Sequence, residues 1–356
     1  MTPTATTTAE APTAAASPDA SATAAPAALR LLYREFGSTA DTIWEADAAE
    51  PGQRRRLASI SHAPDWGTYL SLSPDQRSIA YTVLPEGAQD AASEAEVWVL
   101  GLADLQSTRV ADAADLRAPP AWSPDGKSLY VRRNTADSIR VIELDLGGGE
   151  KTLVEKPRQE IADLSAVGFT ADGASLYYVE SGGPAGTNLG IVNISTGERE
   201  TIMRLSDQLA REFALSPDGK RLAFFDPFRL RSYVADIETR TVIDLPAGPQ
   251  GAVYLHPIWQ PGGEVVTVGQ PPSNGQPGAA SNIALAGGSD LLAAPETGFD
   301  IPLMWAPGSL YLVVRWFRGD SLTSPGPASL LVISQDGART DVAQGTDVEP
   351  IGWTGA

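Results

Sequence analysis

The sequence predicts an all-β, seven-bladed propeller with four strands in each blade. Three observations predict it. A Ser-Pro-Asp-Gly turn motif behind a large apolar residue recurs at a near-constant period. Each period holds four strand-like stretches separated by turn residues. The two ends of the chain are incomplete in complementary ways.

The period is set by the anchors Leu72, Trp122, Phe169, Leu215, Trp259, Trp305 and Trp353, spaced 50, 47, 46, 44, 46 and 48 residues apart. A strand-rich period in the forties is the signature of a propeller blade. Around Trp122, strand A is "PPAWS", strand B "KSLYVRR", strand C "SIRVIELDL" and strand D "KTLVEK". The A–B connection through Asp125-Gly126 is expected to be a two-residue hairpin, with Gly126 supplying positive φ. Each anchor is expected to pack between blades. The residue before it (Ser71, Ala121, Gly168, Ala214, Ile258, Met304, Gly352) is expected to face the central channel.

The ends fix the blade count. "LRLLYRE", "TIWEADA" and "RRRLASI" read as strands B, C and D without an A, and "EPIGWT" as a strand A alone. Joined, they complete a seventh blade and leave no open sheet edge in the ring. The propeller is expected over residues 29–356. Residues 1–28, of which 25 are Ala, Thr, Pro or Ser, have no apolar face and read as a disordered linker.

Composition limits function. A formal charge of -18 argues against nucleic acid and favours cationic ligands. No apolar run is long enough to span a membrane, so membrane contact is expected only through an upstream anchor. The absence of Cys excludes disulfides and thiolate chemistry, and two His exclude multi-His metal sites. No metal and no cofactor is expected. The repeated Asp-Gly pairs read as turn residues, without the ligand spacing of a calcium loop.

The repeated "SPDGK" block followed by an apolar strand resembles the WD40-like repeat of TolB-type propellers, over nearly all the chain after the linker. The fifth ("QPGG") and sixth ("APGSL") copies depart from it. The resemblance implies a bacterial, extracytoplasmic scaffold that binds a protein or ligand. Similar propellers gate peptidases of the prolyl oligopeptidase family.

Chemistry-bearing motifs are few. Gly319-Asp320-Ser321-Leu322 matches the nucleophile block of GDSL-type esterases, but no His follows Ser321, so it reads as a polar turn. Asn193-Ile194-Ser195 is a sequon of a length that occurs by chance. The long loops 84–96, 180–188, 270–281 and 316–327 fall on the D–A and B–C side, which is expected to be the binding face. Positions three and five before each anchor are expected to line the channel mouth there. The candidate contact residues are Tyr69, Arg117, Glu212, Tyr254, His256 and Asp300. The leading expectation is a monomeric, non-enzymatic module that takes a protein or peptide, or a small ligand in the channel. Alternatives are a carbohydrate-active hydrolase or lyase using Glu212 and Asp300, and the sensor domain of a membrane-anchored receptor.

Overall fold

The computed structural model describes residues 28–88, 94–182, 186–245, 253–273, 275–345 and 347–355. Residues 1–27 of the 1–28 linker reading, and the central parts of three of the long loops, lie outside the described residues. The alternating stretches fold as strands. The N-terminus contributes β1 (Arg30–Glu35), β2 (Ala40–Asp47) and β3 (Arg54–Ser61). Blade 1 is β4 (Tyr69–Leu72), β5 (Ser78–Val83), β6 (Ala95–Gly101) and β7 (Ser107–Ala114). Blade 2 is β8 (Ala121–Trp122), β9 (Ser128–Asn134), β10 (Ser138–Asp145) and β11 (Glu150–Pro157). Blade 3 is β12 (Asp163–Phe169), β13 (Ser175–Ser181), β14 (Thr187–Asn193) and β15 (Arg199–Ser206). Blade 4 is β16 (Arg211–Leu215), β17 (Arg221–Asp226), β18 (Arg231–Asp236) and β19 (Thr241–Asp244). Blade 5 is β20 (Leu255–Trp259), β21 (Val265–Gly269), β22 (Ser281–Ala284) and β23 (Ser289–Leu291). Blade 6 is β24 (Phe299–Trp305), β25 (Tyr311–Phe317), β26 (Ala328–Ser334) and β27 (Arg339–Gln344). The last strand, β28 (Val348–Thr354), pairs antiparallel with β1 and completes blade 7 in the order β28-β1-β2-β3. Among the described residues, helix is confined to one 3-10 turn at Pro307–Ser309, and no helix is long and apolar enough to cross a membrane.

The core lies between blades, and the anchors fill it. Trp122 packs with Ala80 and Val97 of blade 1 and with Leu129 and Ile142 of its own blade. Trp259 joins Ala223 and Val234 of blade 4 to Val266 and Ile283 of blade 5. Two anchors also donate to the preceding inner strand: Trp122 Nε1 to Ser71 O at 3.2 Å and Trp259 Nε1 to Ala214 O at 2.8 Å.

The residues before the anchors do not face the channel as expected. Each packs beside the anchor of the next blade. A Cβ on Gly168 would come within 2.5 Å of Leu215, and one on Gly352 within 2.6 Å of Leu72. Ala121 shares a cluster with Phe169, Ile258 with Trp305, and Met304 with Trp353. The reason is geometric. Both faces of a propeller blade are turned to neighbouring blades, so small residues are needed where the next anchor arrives.

The A–B turn also differs from expectation. Ser123 N donates to Ser128 O and Gly126 N to Ser123 O, each at 2.9 Å. Pro124 and Asp125 are therefore the central pair of a β-turn, and Gly126, with φ of 70°, follows it. Ser123 Oγ donates to Asp125 Oδ1 at 2.7 Å and accepts from Ser128 N at 2.9 Å. The same Ser/Thr-to-Asp bond recurs at Ser73–Asp75, Thr170–Asp172 and Ser216–Asp218. These bonds explain why the motif is Ser-Pro-Asp-Gly and not merely Asp-Gly.

Candidate binding site at the channel mouth

A cavity of about 580 Å³ opens on the D–A and B–C face, where the inner strands of blades 7, 1 and 2 begin. Such a volume suits a small ligand or a side chain of a larger partner. Its wall includes Gly67, Tyr69 and Leu70 from blade 1, Pro119 ahead of β8, and Asp347, Glu349 and Pro350 from blade 7. Arg34 and Phe36, at the end of β1, close the back. Gly67 has to be small: a Cβ there would meet Arg34 Nη1 at 2.8 Å and the Phe36 ring at 3.0 Å.

A buried polar cluster supports this wall. Asp41 is fully buried. Its Oδ2 accepts from Thr68 N and Thr68 Oγ1, both at 2.7 Å, and lies 3.4 Å from Arg34 Nη1. Its Oδ1 faces His62 Nε2 at 3.2 Å. His62 Nδ1 lies 2.8 Å from Ala63 O, so both ring nitrogens face oxygens. Arg34 also donates to Thr68 O at 2.6 Å. The guanidinium is thus held in the wall, and the carboxylates of Asp65, Asp347 and Glu349 give the lining an acidic balance.

On blades 4 and 5, Glu212 and His256 sit on adjacent inner strands. His256 N donates to Glu212 Oε2 at 2.9 Å, and His256 Nδ1 lies 3.9 Å from the same oxygen. Both residues have positive φ, 59° and 50°, and both lie within the register breaks of their inner strands. A bulge re-aims side chains in this way, and strain of this kind in non-glycine residues accompanies functional surfaces. The His256 side chain keeps 36% of its surface exposed. Surrounding protein nevertheless pushes its pKa below the ordinary value; the Glu212 carboxylate opposes this, and Arg315 adds to it. Glu349 acts on the same ring and pairs with Arg315 at 2.7 Å, which links this region to the cavity.

The structure separates the six sequence candidates. Tyr69 lines the cavity, 40% exposed. Glu212 and His256 meet, as described. Arg117 is exposed beside Asp115, at 3.8 Å, and does not line the cavity. Tyr254 is buried among Trp259, Ala223 and Val268 in the wall between blades 4 and 5. Asp300 is fully buried and receives Arg339 Nη1 and Nη2 at 2.8 and 2.6 Å. Burial pushes the Asp300 carboxyl up, against the pull of Arg339. The cause of the misplacement is the bulge between Ala166 and Gly168 and its equivalents in blades 4, 5, 6 and 7. One extra residue reverses the alternation, so the fifth position before an anchor returns to the anchor's own face. Leu164, Ala210 and Val348 are buried for the same reason. Sequence reasoning missed Arg34, Asp41, Thr68 and Glu349. For Arg34, Asp41 and Glu349 the signal was a charged residue inside a strand; Thr68, just before β4, carried none.

Ser321 forms a local turn, accepting from Ser324 N at 3.2 Å. Both histidines have their contacts elsewhere. Among the described residues no group of three or more His, Asp or Glu is arranged to hold a metal.

No protein-family model matches the sequence. No curated protein matches it either. Solved structures do match its fold. TolB from Acinetobacter baumannii aligns over 92% of this chain with 16% identity and a TM-score of 0.51. The fold is that of a TolB-like propeller. This propeller spans 66% of the Acinetobacter TolB chain. The periplasmic gluconolactonase PpgL of Pseudomonas aeruginosa aligns over 91% of this chain and 99% of its own, with 16% identity and a TM-score of 0.57. A prolyl endopeptidase aligns over 92% of this chain and 49% of its own, with 16% identity and a TM-score of 0.57. The expectation of a non-enzymatic chain is corrected by these last two. The TolB-like fold is shared with proteins named as enzymes, so it gives no ground for excluding catalysis.

Proposed function

We propose that this chain is an extracytoplasmic binding propeller whose protein or peptide partner presents a cationic group to the mouth cavity. One observation carries the reading: Asp65, Asp347 and Glu349, the last shared with Arg315, and two aromatic rings line a cavity whose single lining guanidinium is engaged by Asp41 and Thr68. A lysine, an arginine or a free amino terminus fits that lining. It gains the carboxylates by charge and the faces of Tyr69 and Phe36 by cation–π attraction. The net charge of -18 steers such a partner inward. The extracytoplasmic setting is supported by the fold shared with a protein named as periplasmic and by the Ala/Thr/Pro-rich N-terminal segment.

The test is a binding titration with lysine-rich and glutamate-rich peptides of equal length. The lysine peptide is expected to bind. Tyr69→Ala should weaken it about tenfold, the equivalent of ~1.4 kcal/mol of cation–π attraction. Glu349→Gln should also weaken it, and Lys220→Ala, in the A–B turn of blade 4, should not. Equal binding of both peptides, or equal losses from all three variants, overturns the reading.

A second reading rests on the Glu212–His256 pair. A histidine held neutral beside a carboxylate, in a channel open to solvent, is equipped to act as a general base. Hydrolysis of a lactone that is lost in His256→Ala but kept in Tyr69→Ala would favour this reading over binding alone.

A further inference from the structure

The hairpin between β17 and β18 ends in a rigid apolar finger. Asp226 and Arg231 pair across it, so residues 227–230 form its tip. Phe228 is the most exposed large apolar side chain among the described residues, at 67%, and Leu230 is 52% exposed. The tip is held from below by Asp226, which is fully buried. Its Oδ1 accepts from Phe228 N and Arg229 N, both at 3.0 Å. Its Oδ2 accepts from Ser206 Oγ at 2.7 Å and from Arg229 Nη1 at 3.1 Å. Leu230 sits at a φ of 53°. A buried carboxylate and a strained backbone each cost stability, and here they hold two apolar side chains out in water. Such a tip has the form of a pre-organised anchor, which loses little freedom when it is covered.

The mouth cavity is its complement. Residues 227–231 contain two arginines and no acid. Arg229 is engaged by Asp226 and Ser206. Arg231 pairs with Asp244 at 3.0 Å, both side chains being more than half exposed, and such pairs exchange at little cost. The cavity presents the rings of Tyr69 and Phe36 and the carboxylates of Asp65, Asp347 and Glu349, and its 580 Å³ has room for a phenyl ring. A finger entering it would set Phe228 against the rings and bring Arg231 toward the carboxylates.

Finger and cavity lie on one face of the ring. The end of β17 in blade 4 is the equivalent of the end of β1 in blade 7, where Arg34 and Phe36 stand. In a ring of seven, blade 4 is opposite the seam between blades 7 and 1, with three blades on either side. A two-fold axis in the plane of this face, midway between finger and cavity, exchanges the two. Because they lie on opposite sides of the ring, the axis runs near the channel, and the two faces overlap. One rotation then offers each finger to the other copy's cavity, and association closes at two copies.

We infer that two copies of this chain pair face to face, each seating Phe228 in the mouth cavity of the other. The inference rests on the reading of that cavity as a cation acceptor and names its occupant. Sedimentation of the full chain over a concentration series should show the mass rising from one copy to two. Phe228→Glu and Tyr69→Lys, both at exposed positions, should each hold the chain at one copy without changing its circular dichroism. A mixture of the two variants should associate again, more weakly than the parent, because one intact finger then meets one intact cavity. A lysine-rich peptide should dissociate the parent pair and should still bind Phe228→Glu. A chain that stays monomeric at all concentrations overturns the inference; if it binds the lysine peptide, the reading of the cavity stands, and if it does not, both fail. A dimer that survives either variant or the peptide, or a mixture that stays monomeric, also overturns the inference. So does a monomer that sediments with phosphatidylglycerol vesicles through Phe228, which would assign the finger to a lipid surface.

Discussion

Glu212 accepts a hydrogen bond from the backbone of His256 across the boundary between blades 4 and 5, at 2.9 Å. The two residues are 44 positions apart, one repeat period, and both sit at positive φ. The bond ties two strained inner-strand positions together and brings a carboxylate up to the imidazole.

The pH dependence of stability should carry the mark of His256. Its folded pKa lies below the ordinary value of about 6.5, chiefly through burial. The unfolded chain therefore binds the proton first. The stabilising contribution is complete above the ordinary value and is lost as pH falls through it toward the folded value. Thermal melts between about pH 8 and 5 should show this loss, and His256→Ala should flatten it. An unchanged profile in the variant would contradict the assignment.

Asp300 is predicted to matter for stability and not for binding. Removing one member of a buried ion pair leaves the other charge uncompensated, at roughly 3–5 kcal/mol. Asp300→Ala should lower the denaturant midpoint strongly. Lysine-peptide affinity, measured well below the new transition, should stay at the parent value.

Ring closure should be cooperative. Deleting residues 347–356 removes the inner strand of blade 7 and the buried Ile351 and Trp353. Burial of those two is worth about 1.5–3 kcal/mol each, against a typical total of roughly 5–15 kcal/mol. The truncated chain should unfold or aggregate, whereas deletion of residues 1–27 should leave the melting temperature nearly unchanged. A C-terminal truncation that melts like the parent would contradict the paired ends.

The turn motif should respond to loss of its serine. Ser123 is buried, and its hydroxyl serves Asp125, Lys127 and Ser128. Ser123→Ala should cost about 1–2 kcal/mol in chemical denaturation. Ser321→Ala, in an exposed polar turn, should cost almost nothing and should leave any esterase signal unchanged.

Much of this was legible along the chain. The spacing of Leu72, Trp122 and the later anchors predicted seven blades, because every blade solves the same packing problem with the same large residue. The unpaired stretches around Leu31 and Trp353 predicted their own partnership, and the structure pairs those two residues directly. Local hydrogen bonding and hydrophobic period decide such features, and both are written within a few dozen residues. The mouth was not legible in the same way. A bulge of one residue reverses the side-chain alternation, and only the pairing register reveals it; Asp300 and Tyr254 were misplaced for that reason. Arg34, Thr68 and Glu349 meet because the ring closes, which brings residues more than 300 positions apart to one wall. Local pattern was enough for the repeat and the ring closure. Which charges face the channel depends on strand register and ring geometry, which no local pattern encodes.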